Sequence, residues 1–268
     1  MTIFAKCTGG LANRVLPFMT YAEIQKRTGA PVHLVWKSSR SCEAAFSDLF
    51  HEDFPLAECV PANAVHYGIP PRCPEFPPFS IERLMEDHRS GRDVCLHATL
   101  PSQHLYDPQV IRDLRPLPKI QRSIQAWQAK LNLTKETIGI HARCSDMASV
   151  HFYLRRMREV PTDRRIFLTS DEKGVESRFQ RELGERLISR PKNHYVQKLV
   201  ESNRNWESNV VRSKESVQEA LVDLYLIAQT DLRIYSPRST FSAWALILGA
   251  EEPMTDLEIF TSRGIKTA

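Results

Sequence analysis

Short apolar runs of strand length alternate with amphipathic helical stretches along this chain, and that alternation restricts it to parallel sheets covered by helices. The first forty residues set the pattern. A strand over Thr2–Lys6 leads through Gly9-Gly10 into a helix whose Leu11, Val15, Phe18, Met19 and Ala22 share one face. Gly29 followed by Ala30-Pro31 supplies the helix stop, and Val32–Trp36 reads as the second strand of a βαβ unit. A further strand is expected at Val94–Leu100. The stretch between carries Pro61, Pro70, Pro71, Pro74, Pro77 and Pro78, whose fixed φ and missing amide donors predict a long irregular surface loop.

A helix over Lys119–Leu131 follows Leu114-Arg115-Pro116-Leu117-Pro118, which has the turn chemistry of a domain junction. At roughly 150 residues per domain the 268-residue chain holds about 1.8 domains. The expected division is an amino-terminal domain over 1–118 and a carboxyl-terminal one over 119–268. In the second, strands are predicted near Thr137–Ala142, Arg165–Ser170, Arg190–Lys198 and Leu232–Ser236, and helices near Gly174–Glu185, Ser216–Gln229 and Thr240–Leu248. Ser216 and Glu219 have capping-box spacing ahead of a stripe of Val217, Ala220, Leu221, Leu224 and Ala228. The Asn-, Ser- and Lys-rich segment Lys192–Lys214 is expected to include a mobile loop.

Composition narrows the functional class. Hydrophobic residues at 42% and charged residues at 25% describe a folded globule, and 17 Pro against 10 Gly exclude a Gly-rich or collagen-like chain. The formal charge of +4 is too small to announce a nucleic-acid surface but allows a local basic pocket. Six scattered cysteines include no C-x-x-C pair and no Cys/His set at zinc spacing. With no apolar run of membrane length and no signal-like start, a reduced, cytoplasmic protein is expected, although a piece cut from a longer secreted or anchored protein would begin the same way.

In a parallel α/β sheet, ligands gather outside the carboxyl ends of the strands, where loops meet helix amino termini. Thr8-Gly9-Gly10-Leu11-Ala12-Asn13-Arg14 follows the first strand without matching G-x-G-x-x-G, and serves equally as a tight turn or a ligand loop. His141-Ala142-Arg143-Cys144-Ser145-Asp146 places an imidazole, a guanidinium and a carboxylate at a strand end. An Arg there suits phosphate, whereas a packed His141 and an Arg143–Asp146 ion pair would be the structural counterpart. Thr169-Ser170-Asp171-Glu172 offers a carboxylate for ribose or base, or simply a helix cap. Ser236-Pro237-Arg238-Ser239-Thr240-Phe241-Ser242 opens an apolar helix with hydroxyls and free amides suited to a diphosphate, Ser239 or Thr240 again being able to serve as a cap. The cluster Arg155, Arg156, Arg158, Arg164 and Arg165 lacks interleaved aromatics beyond Phe152 and Tyr153, which favours a solvated face or the rim of an anionic pocket over a nucleic-acid surface. There is no Walker loop, G-x-S-x-G or H-E-x-x-H, and no Asp-x-Asp to hold a divalent ion against a diphosphate, Asp256-Leu257-Glu258 being the nearest approach. A metal-free diphosphate site is implied.

Together these segments resemble the fucosyltransferase superfamily of α1,2-, α1,6- and protein O-fucosyltransferases. Gly9–Arg14 is similar to its G-G-L-G-N-[QR] segment, with Ala12 at the third Gly. His141–Asp146 resembles H-x-R-R-x-D, with Cys144 at the second Arg. Phe167–Asp171 is similar to its strand ending in T-D or S-D, and Ser236–Ser242 to S-x-x-S-[TS]-F-[SG]. All four stand in family order.

The resemblance implies a GT-B architecture, with two Rossmann-like α/β domains whose parallel sheets face across a cleft. It also implies inverting, metal-independent transfer of fucose from GDP-fucose to a glycan hydroxyl, with no further cofactor. On this basis Arg143 would grip the β-phosphate, His141 orient the donor and Asp171 contact the nucleoside, while Asp146 lies in the same donor motif. Ser239, Thr240 and Phe241 would line the diphosphate and fucose pocket. Gly9 and Gly10 would form the loop from which Asn13 and Arg14 reach the reacting centre. No motif identifies the general base, for which His33, Asp48, Glu52 and His66 are candidates. Cys144 cannot grip phosphate as the family's second Arg would, and Arg238 or a member of the 155–165 group would take that part. Another nucleotide-sugar donor, or a binding protein without turnover, are the alternatives.

Overall fold

The computed structural model describes residues 1–51, 54–69, 75–102, 105–144, 149–198, 210–235 and 239–250. Asp146, Glu52, Arg238 and the Asp256–Glu258 tail therefore lie outside the described residues, as does 199–209 of the segment expected to be mobile. The chain forms two compact units, one of Met1–Ser39 with Ala45–Arg115, the other of Arg40–Ala44 with the residues from Pro116 onward.

The first unit contains, in order, β1 (Ile3–Cys7), α1 (Leu11–Val15), α2 (Phe18–Thr28), β2 (Val32–Trp36), β3 (Val65–Gly68), α3 (Ile81–Arg89), β4 (Val94–Ala98) and α4 (Gln109–Arg112). The periodic stripe from Leu11 to Ala22 suggested one helix, but Pro17 divides it. Proline has no N–H for the carbonyl of Asn13, so the helix stops at Val15 and restarts at Phe18. Gly29 ends α2 at φ 69°, its N–H bonded to the carbonyl of Gln25, a left-handed stop that favours glycine. The Pro-rich stretch is not irregular throughout. Within it β3 pairs in parallel with β4, and Ser80 then caps α3 by accepting from the Arg83 amide. Tyr67 of β3 donates to the buried carboxylate of Asp87 on α3 at 2.7 Å, so the strand and its helix are fastened by a contact that residue spacing does not reveal. The sheet order is β2-β1-β4-β3, all parallel.

The second unit contains α5 (Pro118–Leu131), β5 (Ile138–Ala142), α6 (Val150–Arg156), β6 (Ile166–Ser170), α7 (Val175–Leu183), β7 (Leu187–Ser189), β8 (Gln197–Lys198), β9 (Val210–Val211), α8 (Lys214–Ile227), β10 (Asp231–Tyr235) and α9 (Thr240–Gly249). The strand expected over Arg190–Lys198 is instead two short pieces, β7 before it and β8 at its end. Arg190 and Lys192 lie between them with side chains turned into a buried charge network described below. The cap of α8 is also displaced. Ser213, not Ser216, is the N-cap, and its hydroxyl accepts from the Ser216 amide. Glu219 is then freed from capping to pair with Arg190.

The second main sheet has the order β10-β5-β6-β7, again all parallel. Ile138, Ile140, Ala142, Ile166 and Leu168 face one side, where Tyr153 of α6 and Val175 and Phe179 of α7 close the core. Alternation puts Gly139 and His141 on the opposite side. Lys135 fastens the helices there, donating to the carbonyls of Ala228 at 2.9 Å and Gly249 at 2.8 Å just where α8 and α9 end, the pole that favours a cation. Among the described residues no helix is long and apolar enough to cross a membrane.

Candidate active site

Strand order locates the site. In the second sheet β5, β6 and β7 run outward in sequence, and the chain then returns to lay β10 on the other flank of β5. α6, which follows β5, packs on one face of the sheet and α9, which follows β10, on the other, so the carboxyl ends of these two strands are a switch point of the kind where open α/β sheets bind ligands. Both segments singled out for a donor leave from this point.

His141 is the last residue but one of β5 and is buried. Its Nδ1 lies 2.7 Å from Ser242 Oγ, and its ring packs on Phe241 with centroids 4.4 Å apart. Burial above all, with the charges of Arg143 and Lys192 adding to it, lowers its pKa to about 3. The imidazole is therefore neutral at physiological pH and acts as an oriented dipole, not a cation. The sequence left a packed histidine and a ligand-orienting one open; the geometry is that of a histidine packed within the first turn of α9.

Arg143 follows where β5 ends. The hydroxyl of buried Tyr153 accepts from its N–H at 2.9 Å and donates to its carbonyl at 3.2 Å, holding the backbone from both sides while leaving the side chain out of that bond pair. The next amide, of Cys144, donates to Asp171 Oδ1 at 3.0 Å. Asp171 thus ties the loop after β5 to the end of β6, an orienting task in place of the helix cap considered from sequence. The helix that follows has Gly174 as N-cap and no side-chain cap.

Ser239 is the N-cap of α9, its hydroxyl accepting from the Ser242 amide at 3.4 Å. Thr240 is buried and Phe241 half-buried. The amides of Thr240 and Phe241 head the helix, where no intrahelical acceptor exists and the positive end of the dipole lies. An anion seated there would meet the His141–Phe241–Ser242 group and the loop of Arg143.

Sequence reasoning missed the charge network joined to the end of β6. Arg190 donates to Asp223 Oδ1 at 2.9 Å and pairs with Glu219, while Lys192 reaches Asp223 Oδ2 at 2.9 Å and also bonds the Ser170 carbonyl that ends β6. Burial alone would lower the pKa of Arg190, but Asp223 and Glu219 offset this and raise it. The sequence signal was slight: two basic residues flanking Pro191, and an acidic pair four residues apart on a helix whose apolar stripe is the stronger pattern. The Arg155–Arg165 group divides. Arg165 bonds the Leu131 and Asn132 carbonyls where α5 ends, and Arg164 bonds the Glu136 carbonyl.

In the first unit the strand order also reverses, between β1 and β4, and Gly9–Arg14 leaves from that point. Gly9 has φ +80°, and a Cβ there would lie 2.9 Å from Asn13 Nδ2, so glycine is needed both for the turn and for the approach of Asn13. Gly10 is the N-cap of α1. Asn13 Oδ1 is buried and has no hydrogen-bond partner among the described residues. Arg14 is fully enclosed, its Nε bonding the Gly9 carbonyl at 2.8 Å, its other nitrogens the Lys37 carbonyl at 2.6 Å and Ser39 Oγ at 2.8 Å, with the guanidinium 5.1 Å over Trp36. It braces the loops after β1 and β2. Of the candidate bases, Asp48 accepts from the Ala45 amide at 2.9 Å, His33 lies tilted against Phe4, and His66 joins a cluster with Cys95 and His97.

No protein-family model matches the sequence, and no curated protein matches it. Solved structures do match, over nearly the whole chain. The α-1,6-fucosyltransferase NodZ of Bradyrhizobium, co-crystallised with GDP, superposes with a TM-score of 0.57 at 17% identity over 92% of either chain. The chain has a fucosyltransferase fold. POFUT1 in complex with GDP-fucose gives a TM-score of 0.54 at 10% identity over 94% of this chain and 96% of its own. A single-residue mutant of Arabidopsis thaliana FUT1 in complex with GDP gives 0.54 at 13%, covering 92% of this chain and 69% of that one. The two parallel four-stranded sheets are the α/β layout shared with these GT-B fucosyltransferases.

Proposed function

We propose that this chain is an inverting glycosyltransferase that moves fucose from GDP-fucose to a hydroxyl of a glycan or glycoconjugate without needing a metal ion at the diphosphate. The observation that carries it is the switch point at the carboxyl ends of β5 and β10, where neutral His141 packs on Phe241 and Ser242 at the amino terminus of α9 and Arg143 follows directly on β5. The solved structures of this fold include complexes with GDP and GDP-fucose, which supports the choice of donor.

In this scheme the second unit takes the donor and the first the acceptor. The diphosphate rests on the first turn of α9, against Ser239, Thr240 and Phe241, with His141 fixing Phe241 and Ser242 behind it. The acceptor oxygen attacks C1 of fucose opposite the leaving group. The C1–O bond to the β-phosphate breaks with its electron pair going to the phosphate oxygen, and the proton of the acceptor hydroxyl passes to solvent water. Arg143 offsets the charge that appears on that oxygen, and a preorganised cation contributes most where charge develops. Asp171 holds the Cys144 amide and so the loop that carries Arg143, beside any contact with the nucleoside, and Asp146 stands in the same sequence motif. Asn13 Oδ1 offers an acceptor to a sugar hydroxyl, with Gly9 and Gly10 shaping its loop and Arg14 bracing it. Bond breaking ahead of attack lowers the demand on a general base.

The test is a panel of nucleotide sugars incubated with the full chain, glycan acceptors and no added divalent ion, scored by release of nucleotide. GDP-fucose is expected to be turned over fastest, with magnesium or manganese adding little. Preference for another donor would overturn the fucose assignment, and tight GDP-fucose binding without release would make the chain a binding protein.

A further inference from the structure

The first sheet holds a group of metal-ligating side chains that the donor site does not use. In its register His66 of β3 stands opposite Cys95 of β4, and His97 follows Cys95 by two residues. Period-two alternation puts all three on one face, next to each other on adjacent strands. His66 Nδ1 lies 2.9 Å from His97 Nε2, and Cys95 Sγ lies 3.4 Å from the same nitrogen. The three donor atoms are within 4.8 Å of one another. Cys95 and His97 are buried and His66 half-buried, and the Phe76 ring stacks on His97 with centroids 3.7 Å apart, forming one wall. Absence of zinc spacing in the sequence is thus overridden by strand pairing, which brings His66 to Cys95-Leu96-His97 from a distant part of the chain.

We propose that His66, Cys95 and His97 form a binding site for a borderline divalent metal ion, Zn2+ in the first instance, that pins the edge strand β3 to β4. Tetrahedral zinc with Zn–N of about 2.0–2.1 Å and Zn–S of about 2.3 Å separates its ligand atoms by roughly 3.3 Å for N···N and 3.6 Å for N···S. The His97 contacts at 2.9 and 3.4 Å need to open by only a few tenths of an ångström, and the His66–Cys95 pair, within 4.8 Å, to settle near the N···S separation, both within reach of side-chain rotation. Two imidazoles and a thiolate select zinc-like ions over magnesium, calcium or manganese, which prefer oxygen ligands. On binding, the thiol proton leaves to solvent and both imidazoles coordinate as neutral rings. Lys6, in register with His97 on the same face, adds positive charge, and the thiolate is the group that offsets it. Three protein ligands leave a fourth position, reached past half-buried His66, for water or an outside ligand. This site lies wholly in the first unit and stands whether or not the donor is GDP-fucose.

The test is cobalt titration of the chelator-stripped full chain. About one equivalent of Co2+ is expected to give tetrahedral d–d bands with a thiolate charge-transfer band, bleached by Zn2+. Cys95→Ser should abolish the charge-transfer band, His66→Gln should weaken binding by about tenfold or more, and His33→Gln, on the same face but outside the cluster, should leave both unchanged. Circular dichroism of each variant checks folding, and half-buried His66 supplies the decisive variant if Cys95→Ser unfolds. Absence of tetrahedral cobalt bands in the parent chain would overturn the site. So would a charge-transfer band that survives in a folded Cys95→Ser chain, or full affinity in folded His66→Gln.

Discussion

Arg143→Ala is expected to lower fucose transfer by about 10²–10³ while leaving the protein folded, the decrease typical of removing one preorganised donor to a developing negative charge. The separation of the two effects follows from how the residue is held. Tyr153 bonds the N–H and carbonyl of Arg143, and Asp171 holds the next amide, so these three anchors of the loop are backbone contacts that alanine preserves. Arg143→Lys should recover only part of the rate, because an ammonium keeps the charge but not the planar fork that matches phosphate. Initial-rate measurements on both variants, with thermal unfolding alongside, check this. Full activity in a folded Arg143→Ala enzyme would remove Arg143 from the chemistry.

Asp223→Ala should do the reverse, costing mainly stability. The Asp223 carboxylate is buried between Arg190 and Lys192, and its removal leaves two enclosed cations short of their shared anion. Breaking a buried ion pair from one side costs about 3–5 kcal/mol. For a unit of this size each kcal/mol lowers the melting temperature by roughly 2–4 °C. Glu219 still pairs with Arg190, so the effect should fall mostly on Lys192 and on the Ser170 carbonyl it bonds. Since Ser170 immediately precedes Asp171, the donor loop should loosen as well, and residual activity should fall more steeply with temperature than in the parent. Calorimetric or denaturant unfolding decides it, and a destabilisation below about 1 kcal/mol, the range of an exposed pair, would show that solvent reaches the network.

Sequence pattern and structure agree best where local signals and tertiary packing coincide. The βαβ start, α5 and α9 were legible because apolar periodicity, a proline at the first helical position or a serine cap points to the same element that packing selects. The end of β5 ahead of Arg143 and the start of α9 at Thr240 were legible for a related reason, since an apolar strand run stops at the first and a serine cap marks the second. What stayed hidden depends on pairing between distant segments. β3 is a four-residue strand among prolines that exists because β4 offers it a partner, and the His66–Cys95–His97 group is created by that pairing. Arg14 illustrates a different limit. Its place in the motif suggested a hand extended to the reacting centre, whereas the fold uses its guanidinium to bind two loop carbonyls and a hydroxyl inside the first unit. Spacing can nominate a charged residue but cannot say which of its hydrogen bonds the fold has already taken.

The crystal structure of the full chain with GDP tests the central claim most directly. The diphosphate is expected at the carboxyl ends of β5 and β10, with its oxygens on the first turn of α9 at Ser239–Phe241 and the Arg143 guanidinium against the β-phosphate. A diphosphate bound at Gly9–Asn13, or one in the second unit that touches neither Arg143 nor the start of α9, would contradict it.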